Sequence, residues 1–179
     1  MEESEFSTVY LETEDLLLKK AVFADWEALY RNITSHPEAA RYMLWSPDEN
    51  EEMAKERMGR TIAFEQREKY AFLVYLKSAG EPIGFAAMRQ AEEGAYEDMG
   101  IALGPAFQRR GYGRQILEAF CEEARRCGAR EFRTSYRLGN IPSQRLQEAC
   151  GFRFAFDSEE RTDPRTGETY IVRNMKKTL

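Results

Sequence analysis

The spacing of hydrophobic residues changes along the chain, and the change predicts where helices give way to strands. One short apolar run comes first, after which apolar residues recur three or four positions apart, as on one face of a helix. Ser46-Pro47-Asp48-Glu49 is typical of a helix start, with serine at the cap and proline in the first turn. The predicted elements are a strand at 16–22, a helix from Asp25 to about residue 32, a helical piece at 38–43 and a helix from 46 to about 68.

Strand-like runs dominate the rest of the chain. Turn residues join the first three of these runs, which predicts antiparallel neighbours in a sheet. The predicted elements are strands at 70–76, 83–90 and 96–103, a helix from Gly111 to Gly128, a strand at 131–137, a helix from Asn140 to Gly151, and strands at 152–158 and 169–176. This order predicts an α/β fold in which helices flank a mixed, mostly antiparallel sheet.

Length and composition narrow the class of protein. No repeat, low-complexity tract or Gly/Ser-rich linker interrupts the 179 residues, so we expect one domain, with residues 1–9 as a flexible N-terminus. The longest apolar run, at 71–76, is too short to span a membrane, and the acidic N-terminus does not resemble a secretory signal. The chain has three cysteines and no C-x-x-C pair, which predicts neither disulfides nor a metal site and favours the cytoplasm.

Charge is unevenly distributed between the two parts of the chain. Residues 1–100 carry 11 Lys or Arg against 21 Asp or Glu, a net charge of −10, whereas residues 101–179 carry 15 against 10, a net charge of +5. The overall charge of −5 argues against nucleic acid as a partner, because that binding depends on neutralising phosphates. The split suggests a site with two kinds of ligand, which charge counts alone do not identify.

One segment between a predicted strand and a predicted helix has the composition of an anion-binding loop: Gln108-Arg109-Arg110-Gly111-Tyr112-Gly113-Arg114. Backbone N–H groups point outward from a helix N-terminus, where the helix dipole also favours negative charge. Gly111 and Gly113 let the main chain approach an anion, and the arginines add donors that match phosphate oxygens. The segment predicts a pyrophosphate cradle; the alternative is a plain strand–helix turn with surface arginines.

Two common nucleotide-binding signatures do not fit this segment. G-x-G-x-x-G would require glycine at Ile116, and G-x-x-x-x-G-K-[ST] occurs nowhere in the chain. The sequence Gln108-x-x-Gly111-x-Gly113 instead resembles the acetyl-CoA-binding signature Q/R-x-x-G-x-G/A of the GNAT N-acetyltransferases. Residues 98–103 are similar to the central strand of that family, and the stretch from Asn140 to Gly151-Phe152 is similar to its second motif.

The N-terminal part resembles one branch of this family, which includes the ribosomal-protein N-terminal acetyltransferases. Residues 11–18 are similar to its L-x-T-E-R-L-x-L opening, with Asp15 in place of the usual arginine. Residues 36–43 and Trp45-Ser46-Pro47 are similar to the same branch. The resemblance extends from about residue 10 to residue 177.

The resemblance implies a GNAT-type fold in which the fourth and fifth predicted strands, at 96–103 and 131–137, splay apart around the thioester of acetyl-CoA, with no metal. Main-chain groups of the central strand would pair with the pantetheine arm, and the cradle would hold the pyrophosphate. Two residues of the second motif match positions that contact the cosubstrate near its thiol. The implied binding residues are Ile101, Ala102, Leu103, Gln108, Arg109, Arg110, Gly111, Tyr112, Gly113, Arg114, Asn140 and Ser143.

Acetyl transfer to an amine needs a base for the ammonium proton and benefits from a donor to the thiolate. Asp98 and Glu97 are the base candidates, and we expect only one to face the cleft because neighbouring strand residues point to opposite sides. A solvated charge at the strand end is the alternative for both. Many family members place a donor tyrosine seven residues after the helix-starting asparagine, where this chain has Gln147. Ser143 and Tyr136 remain as candidates to contact the thiol.

The resemblance implies transfer of an acetyl group from acetyl-CoA to a primary amine by direct attack in a ternary complex. A protein N-terminus is the leading expectation for the acceptor, with a polyamine or an aminoglycoside as alternatives. Because Gln147 replaces the tyrosine, a module that binds acetyl-CoA as a sensor without turnover is a further alternative. Tyr42, Met43 and Trp45 either line an acceptor pocket or belong to the core. We expect a monomer or homodimer that binds neither membrane nor nucleic acid.

Overall fold

The computed structural model describes residue 6 and residues 8–179. Its strands are β1 (Leu11–Glu12), β2 (Leu16–Lys19), β3 (Tyr70–Leu76), β4 (Glu81–Glu92), β5 (Ala95–Leu103), β6 (Glu131–Arg137), β7 (Arg153–Asp157), β8 (Arg161–Thr162), β9 (Thr169–Tyr170) and β10 (Val172–Thr178). Eight of them form one sheet in the order β1-β2-β3-β4-β5-β6-β10-β7, and β8 pairs with β9 in a separate hairpin. Every neighbouring pair except β5–β6 is antiparallel. The predicted mixed, mostly antiparallel sheet is confirmed.

The α-helices of the described residues are α1 (Trp26–Leu29), α2 (Pro37–Ala40), α3 (Glu51–Arg67), α4 (Tyr112–Arg126) and α5 (Ile141–Ala149). A π-helical turn, Tyr30–Thr34, continues α1 directly. The predicted start of α3 at Ser46 is wrong. Asn50 is the cap, and its side chain accepts a hydrogen bond from the Met53 backbone N–H at 3.0 Å.

Hydrophobic side chains pack on both faces of the sheet. Phe72 of β3 belongs to the larger core with Phe120 of α4, whereas the next residue, Leu73, packs with Met58 of α3 in a second core. Successive strand residues point to opposite faces, so covering both faces requires a continuous apolar strand. This explains why β3 is apolar throughout its length.

The parallel pair β5–β6 separates partway along its length. Pairing joins residues 95–97 to residues 131–133, and β5 then continues to Leu103 with only β4 beside it among the described residues. A bulge at Met99 interrupts the pairing of β5 with β4, and Gly100 follows with a φ of +125°. The implied splay is therefore confirmed; its strands are the fifth and sixth of the chain because the short β1 precedes them.

Three further observations concern membrane-spanning helices, metal sites and the N-terminus. Within the described ranges, no helix is long and apolar enough to cross a lipid bilayer. In the same part of the chain, no group of three or more His, Cys, Asp or Glu is placed to hold a metal ion. The predicted flexible N-terminus lies mostly outside the described residues, and of its described part Val9 packs against the larger core.

Candidate active site

The loop between β5 and α4 exposes a run of backbone donors. Arg109 and Gly111 both adopt left-handed backbone, with φ of +61° and +83°, which is uncommon for arginine. In the described chain, the backbone N–H groups of residues 109–114 donate to no carbonyl and no side chain. They precede and open the 15-residue helix α4, whose N-terminus favours an anion. The predicted cradle thus has the backbone geometry that an anion requires.

The side chains of this loop divide into two groups. Gln108 Nε2 donates to the carbonyl at the end of β5 at 3.1 Å, and Tyr112 packs half-buried against the core. Arg114 forms an ion pair at 2.7 Å with the glutamate one turn further along α4. Arg109 and Arg110 are exposed, and their guanidinium groups form no hydrogen bond or ion pair with the described residues. These two arginines are therefore available to a ligand.

Glycines at two positions of this loop have different structural roles. Gly111 supplies the left-handed turn before α4. Gly113 allows α4 to pack against α5, because a Cβ there would lie 3.1 Å from Cδ2 of Leu146. Free N–H groups, close backbone approach and two unpaired arginines together fit the pyrophosphate of acetyl-CoA.

The far side of β5 is open next to this loop. Ile101, Ala102 and Leu103 pair with β4 on one side. On the other side, pairing with β6 has already ended at Glu97. Main-chain groups on that side can therefore accept an extended ligand arm as an added strand, as the resemblance implied.

Asp98 lies at the point where β5 and β6 separate. One carboxylate oxygen accepts a hydrogen bond from the Thr134 hydroxyl of β6, and the other accepts one from the Gly100 backbone N–H at 2.9 Å. Protein atoms surround the carboxylate, and this burial raises the pKa of Asp98 to about 6 despite the hydrogen bonds, which lower it. A carboxyl group with a pKa near neutrality at the wall of a cavity is typical of a general base.

Glu97 does not share this position. Its carboxylate forms an ion pair with Arg89 of β4 at 2.8 Å, and the residue does not line the cavity beside Asp98. The two neighbours therefore face different surroundings, as the alternation of strand residues predicts. The structure brings Asp98 to the cavity and leaves Glu97 beside a counter-ion.

Asp98 lines a cavity of about 590 Å³. Aromatic and apolar side chains from four parts of the chain form much of its wall, namely Leu29, Tyr42, Met43, Leu44, Trp45, Phe64 and Phe85. Charged side chains complete it, namely Arg57, Arg60, Glu65, Asp98, Arg137 and Arg161. Tyr42, Met43 and Trp45 thus line a pocket, one of the two roles expected for them, and Trp45 also packs against the second core, which was the other role.

Gln147 fixes the hydrogen bonding of Ser143. Its Nε2 donates to the Ser135 carbonyl at 2.9 Å and to Ser143 Oγ at 3.1 Å. A carbonyl only accepts, so the amide nitrogen must lie on this side and Ser143 Oγ is an acceptor there. The hydrogen of the Ser143 hydroxyl remains free to be donated elsewhere. Asn140 has a different role: its Oδ1 caps α5 by accepting from the Ser143 backbone N–H at 3.3 Å.

Sequence comparison identifies the family. A family model described as an acetyltransferase (GNAT) domain matches residues 15–153. The chain belongs to the GNAT acetyltransferase family. It is accordingly an acetyl-CoA-dependent N-acetyltransferase, the enzyme class that the cradle and the second motif implied. No curated protein matches the chain by sequence.

Solved GNAT structures share the fold at low identity. An acetyltransferase from Bacillus anthracis is 20% identical with a TM-score of 0.79, over 95% of this chain and 98% of that chain. The Salmonella typhimurium enzyme that modifies the N-terminal serine of 50S ribosomal subunit protein L7/L12 is 20% identical with a TM-score of 0.76, over 96% and 99%. The microcin C7 self-immunity acetyltransferase MccE, solved with acetyl-CoA and AMP, is 18% identical with a TM-score of 0.78, over 93% and 94%.

Two ion pairs hold the cavity wall of this GNAT protein. Arg165 Nη1 donates to the Trp45 carbonyl at 2.5 Å, and Arg57 Nη2 donates to the next carbonyl along the chain at 2.5 Å. The counter-ions are the buried carboxylates Asp163 and Asp48. Hydrogen bonds from Arg165 hold the pKa of Asp163 well below its usual range, so Asp163 stays ionised.

Sequence patterns missed three residues of this GNAT site. Thr134 looked like an ordinary inward-facing strand residue, and only the register of β6 against β5 shows that it reaches Asp98. Arg60 and Arg161 lie on α3 and on the β8–β9 hairpin and meet at one cavity only in the folded chain. No local motif distinguishes them from other surface arginines.

Proposed function

We propose that this GNAT enzyme acetylates the α-amino group of a peptide or protein N-terminus, with Asp98 as the general base. The observation that carries the proposal is the position of Asp98 at the splay of β5 and β6, on the wall of the acceptor cavity. The pKa of Asp98, about 6, also favours an α-amine. An α-ammonium has a pKa of about 8, whereas a lysine ammonium has a pKa of about 10.4, so proton transfer from lysine is less favourable by roughly two further pKa units.

Residues of β5 and of the loop that follows it would bind the cosubstrate. The free N–H groups of residues 109–114, with Arg109 and Arg110, would hold the pyrophosphate, and the open side of residues 101–103 would pair with the pantetheine arm. Acetyl-CoA supplies the acetyl group as a thioester. The relative from Salmonella typhimurium, which modifies an N-terminal serine, supports the acceptor class.

Ser143 takes the place of the missing tyrosine in this proposal. Gln147 holds Ser143 Oγ as an acceptor, which leaves its hydrogen available to a departing sulfur in the cleft. A thiol has a pKa of about 8.5, so the thiolate is a moderate leaving group and one hydrogen bond can suffice. Asp98 receives the proton that the attacking amine loses.

A panel of acceptors tests the function. Thiol release from acetyl-CoA should depend on peptides with a free α-amine and should not occur with N-blocked, lysine-containing peptides or with spermidine. Asp98→Asn should lower kcat by roughly 10²- to 10⁴-fold, the range for loss of a general base. Thiol release with only the blocked peptides or only spermidine would contradict the proposal that the acceptor is an α-amine. Binding of acetyl-CoA without release for any acceptor would establish the sensor alternative.

A further inference from the structure

We infer that the acceptor carries an anionic group near its amine, and that Arg60 and Arg161 bind that group at the solvent end of the cavity. The inference rests on the proposed function, because it describes the substrate of the same cavity. It goes further than that function because it states which chemical group distinguishes this acceptor from other amines.

The cavity has the opposite sign of charge from the molecule as a whole. Four arginines and two carboxylates line it, whereas the chain has a net charge of −5. Arg57 pairs with the buried Asp48, and Arg137 pairs with the buried Asp163, which also pairs with Arg165. Burial also raises the pKa of Glu65 to about 7, so this carboxylate is only partly ionised at neutral pH. Arg60 and Arg161 are therefore the two arginines of the cavity wall that have no carboxylate partner among the described residues.

Both arginines are available to a ligand. They are exposed, and within the described ranges their guanidinium groups form no hydrogen bond, ion pair or ring contact. Glu56 lies four positions before Arg60 on α3, a spacing that commonly forms an ion pair. No such pair forms, and Arg60 lines the cavity instead. Glu160 precedes Arg161 directly and is not paired with it either.

The two arginines come from elements that the fold holds in place. Arg60 lies on the long helix α3, whose start the Asp48–Arg57 pair anchors. Arg161 lies on β8, and the turn after β8 carries Asp163, which accepts hydrogen bonds from Arg137 and Arg165. The backbone positions of Arg60 and Arg161 are thus held by separate buried contacts, and their unpaired guanidinium groups can turn toward a ligand. Guanidinium groups match the oxygens of a carboxylate or a phosphate.

The charges of the cavity are arranged by depth. Asp98 is half-buried and both of its carboxylate oxygens accept hydrogen bonds within the protein, whereas Arg60 and Arg161 are exposed. A ligand with an amine at its inner end and an anionic group further out matches this order. A peptide with an acidic residue at its second or third position has that arrangement, and so does a small amine that carries a phosphate.

Three peptides that differ only at positions two and three test the inference: Ser-Glu-Glu, Ser-Gln-Gln and Ser-Lys-Lys extensions of one common sequence. For the wild type, kcat/KM should fall in that order, by about tenfold or more between the first and second, mainly through KM. The double variant R60E/R161E should reverse the order and prefer the lysine peptide. Arg153→Glu is the matched control, because Arg153 is an exposed, unpaired arginine on β7 away from the cavity. It should leave the order unchanged.

The outcomes separate the inference from the function on which it rests. Equal kcat/KM for all three peptides, or the same order in R60E/R161E, would overturn the anionic site while leaving α-amine acetylation in place. Turnover of O-phosphoserine but of no peptide, lost in R60E/R161E, would support the anionic site and overturn the peptide acceptor. Thermal unfolding midpoints of the variants close to that of the wild type show that the exposed substitutions leave the fold intact.

Discussion

Asp98 combines a structural contact with the chemistry proposed for it. Thr134 and Gly100 donate hydrogen bonds to its two oxygens, and both favour the ionised carboxylate. Burial opposes them more strongly, so the pKa rises to about 6. One neighbouring hydroxyl therefore influences the pH at which the proposed base ionises.

The pH dependence of kcat/KM should report this influence. With a peptide acceptor, kcat/KM should rise along an acidic limb as Asp98 ionises near pH 6, and along a second limb as the acceptor ammonium loses its proton near pH ~8, because the neutral amine is the nucleophile. Thr134→Val removes a hydrogen bond that lowers the pKa of Asp98, so the acidic limb alone should move to higher pH. Steady-state rates between about pH 5 and 9 measure both limbs.

The same substitution in the β8–β9 hairpin, Thr162→Val, controls for loss of a threonine hydroxyl that does not contact Asp98. It should leave both limbs in place. If the acidic limb of the kcat/KM profile does not move in T134V, or moves as far in T162V, a group other than Asp98 is responsible for that limb.

At the scale of the elements, a close backbone contact fixes where β5 ends. Gly104 follows β5, and a Cβ there would lie 2.0 Å from the carbonyl oxygen of Asn32 in the π-helical turn after α1. Rotation of a side chain cannot relieve a contact between a Cβ and a backbone oxygen. The end of β5 and the beginning of the cradle therefore lie directly against the helical segment that follows α1.

Two glycine-to-alanine substitutions should have opposite effects on stability. Gly104→Ala should lower the free energy of unfolding by about 2 kcal/mol or more, because the backbone must move apart. Gly59→Ala, in α3, adds a Cβ with no atom within 4 Å. It should raise the free energy of unfolding by about 0.5–1 kcal/mol, because glycine is unfavourable inside a helix. Urea unfolding measures both, and similar values for the two variants would contradict the contact at Gly104.

Elements with strong local signals were predictable from the sequence. β3 spans the predicted residues, and α4 lies within the predicted helix because its apolar stripe and its starting glycine are both local. The start of α3 at Ser46 was wrong because Asn50 offers a second cap. Asp48 meanwhile forms a buried ion pair with Arg57, which places it before the helix. No local pattern reveals such a pair.

Some residues of the candidate site were likewise predictable from the sequence, and others were not. The cradle was predictable because its glycines and arginines are consecutive in sequence. The choice between Asp98 and Glu97 was not, because it depends on which side of β5 faces the cavity and on the bulge at Met99. The arginines that line the cavity come from distant segments, so the chain must fold before they share a surface.

At the scale of the whole molecule, the basic part of the chain holds a segment of the acidic part. Arg165 donates to the Trp45 carbonyl, and Arg137 donates to the Met43 carbonyl at 3.5 Å. Both also bond to Asp163. Part of the positive charge of residues 101–179 therefore has a structural role and is not available to ligands.

Arg165→Ala should weaken the binding of the acceptor but not the binding of acetyl-CoA, because it removes the hydrogen bond to the Trp45 carbonyl. The segment around Trp45 forms the cavity wall, whereas the cradle lies at the end of β5, so KM for a peptide should rise several-fold and KM for acetyl-CoA should not change. Arg125→Ala is the control, because Arg125 pairs with Glu122 near the end of α4 and does not line the cavity. It should alter neither constant. An equal rise of both KM values in R165A would indicate a general loss of structure instead.

The splay has a consequence for the stiffness of the molecule. Backbone pairing at residues 95–97, the contact of Asp98 with Thr134 and the ion pair of Glu92 with Arg133 link the block β1–β5 to the block of β6, β10 and β7 within the sheet. Beyond these contacts β5 and β6 are no longer hydrogen-bonded to each other, although the larger core contains residues from both blocks. An extended arm of the cosubstrate along β5 would fill that gap. The rigidity of the sheet would then depend on the concentration of acetyl-CoA, and the enzyme would be most rigid when it is ready to receive an acceptor.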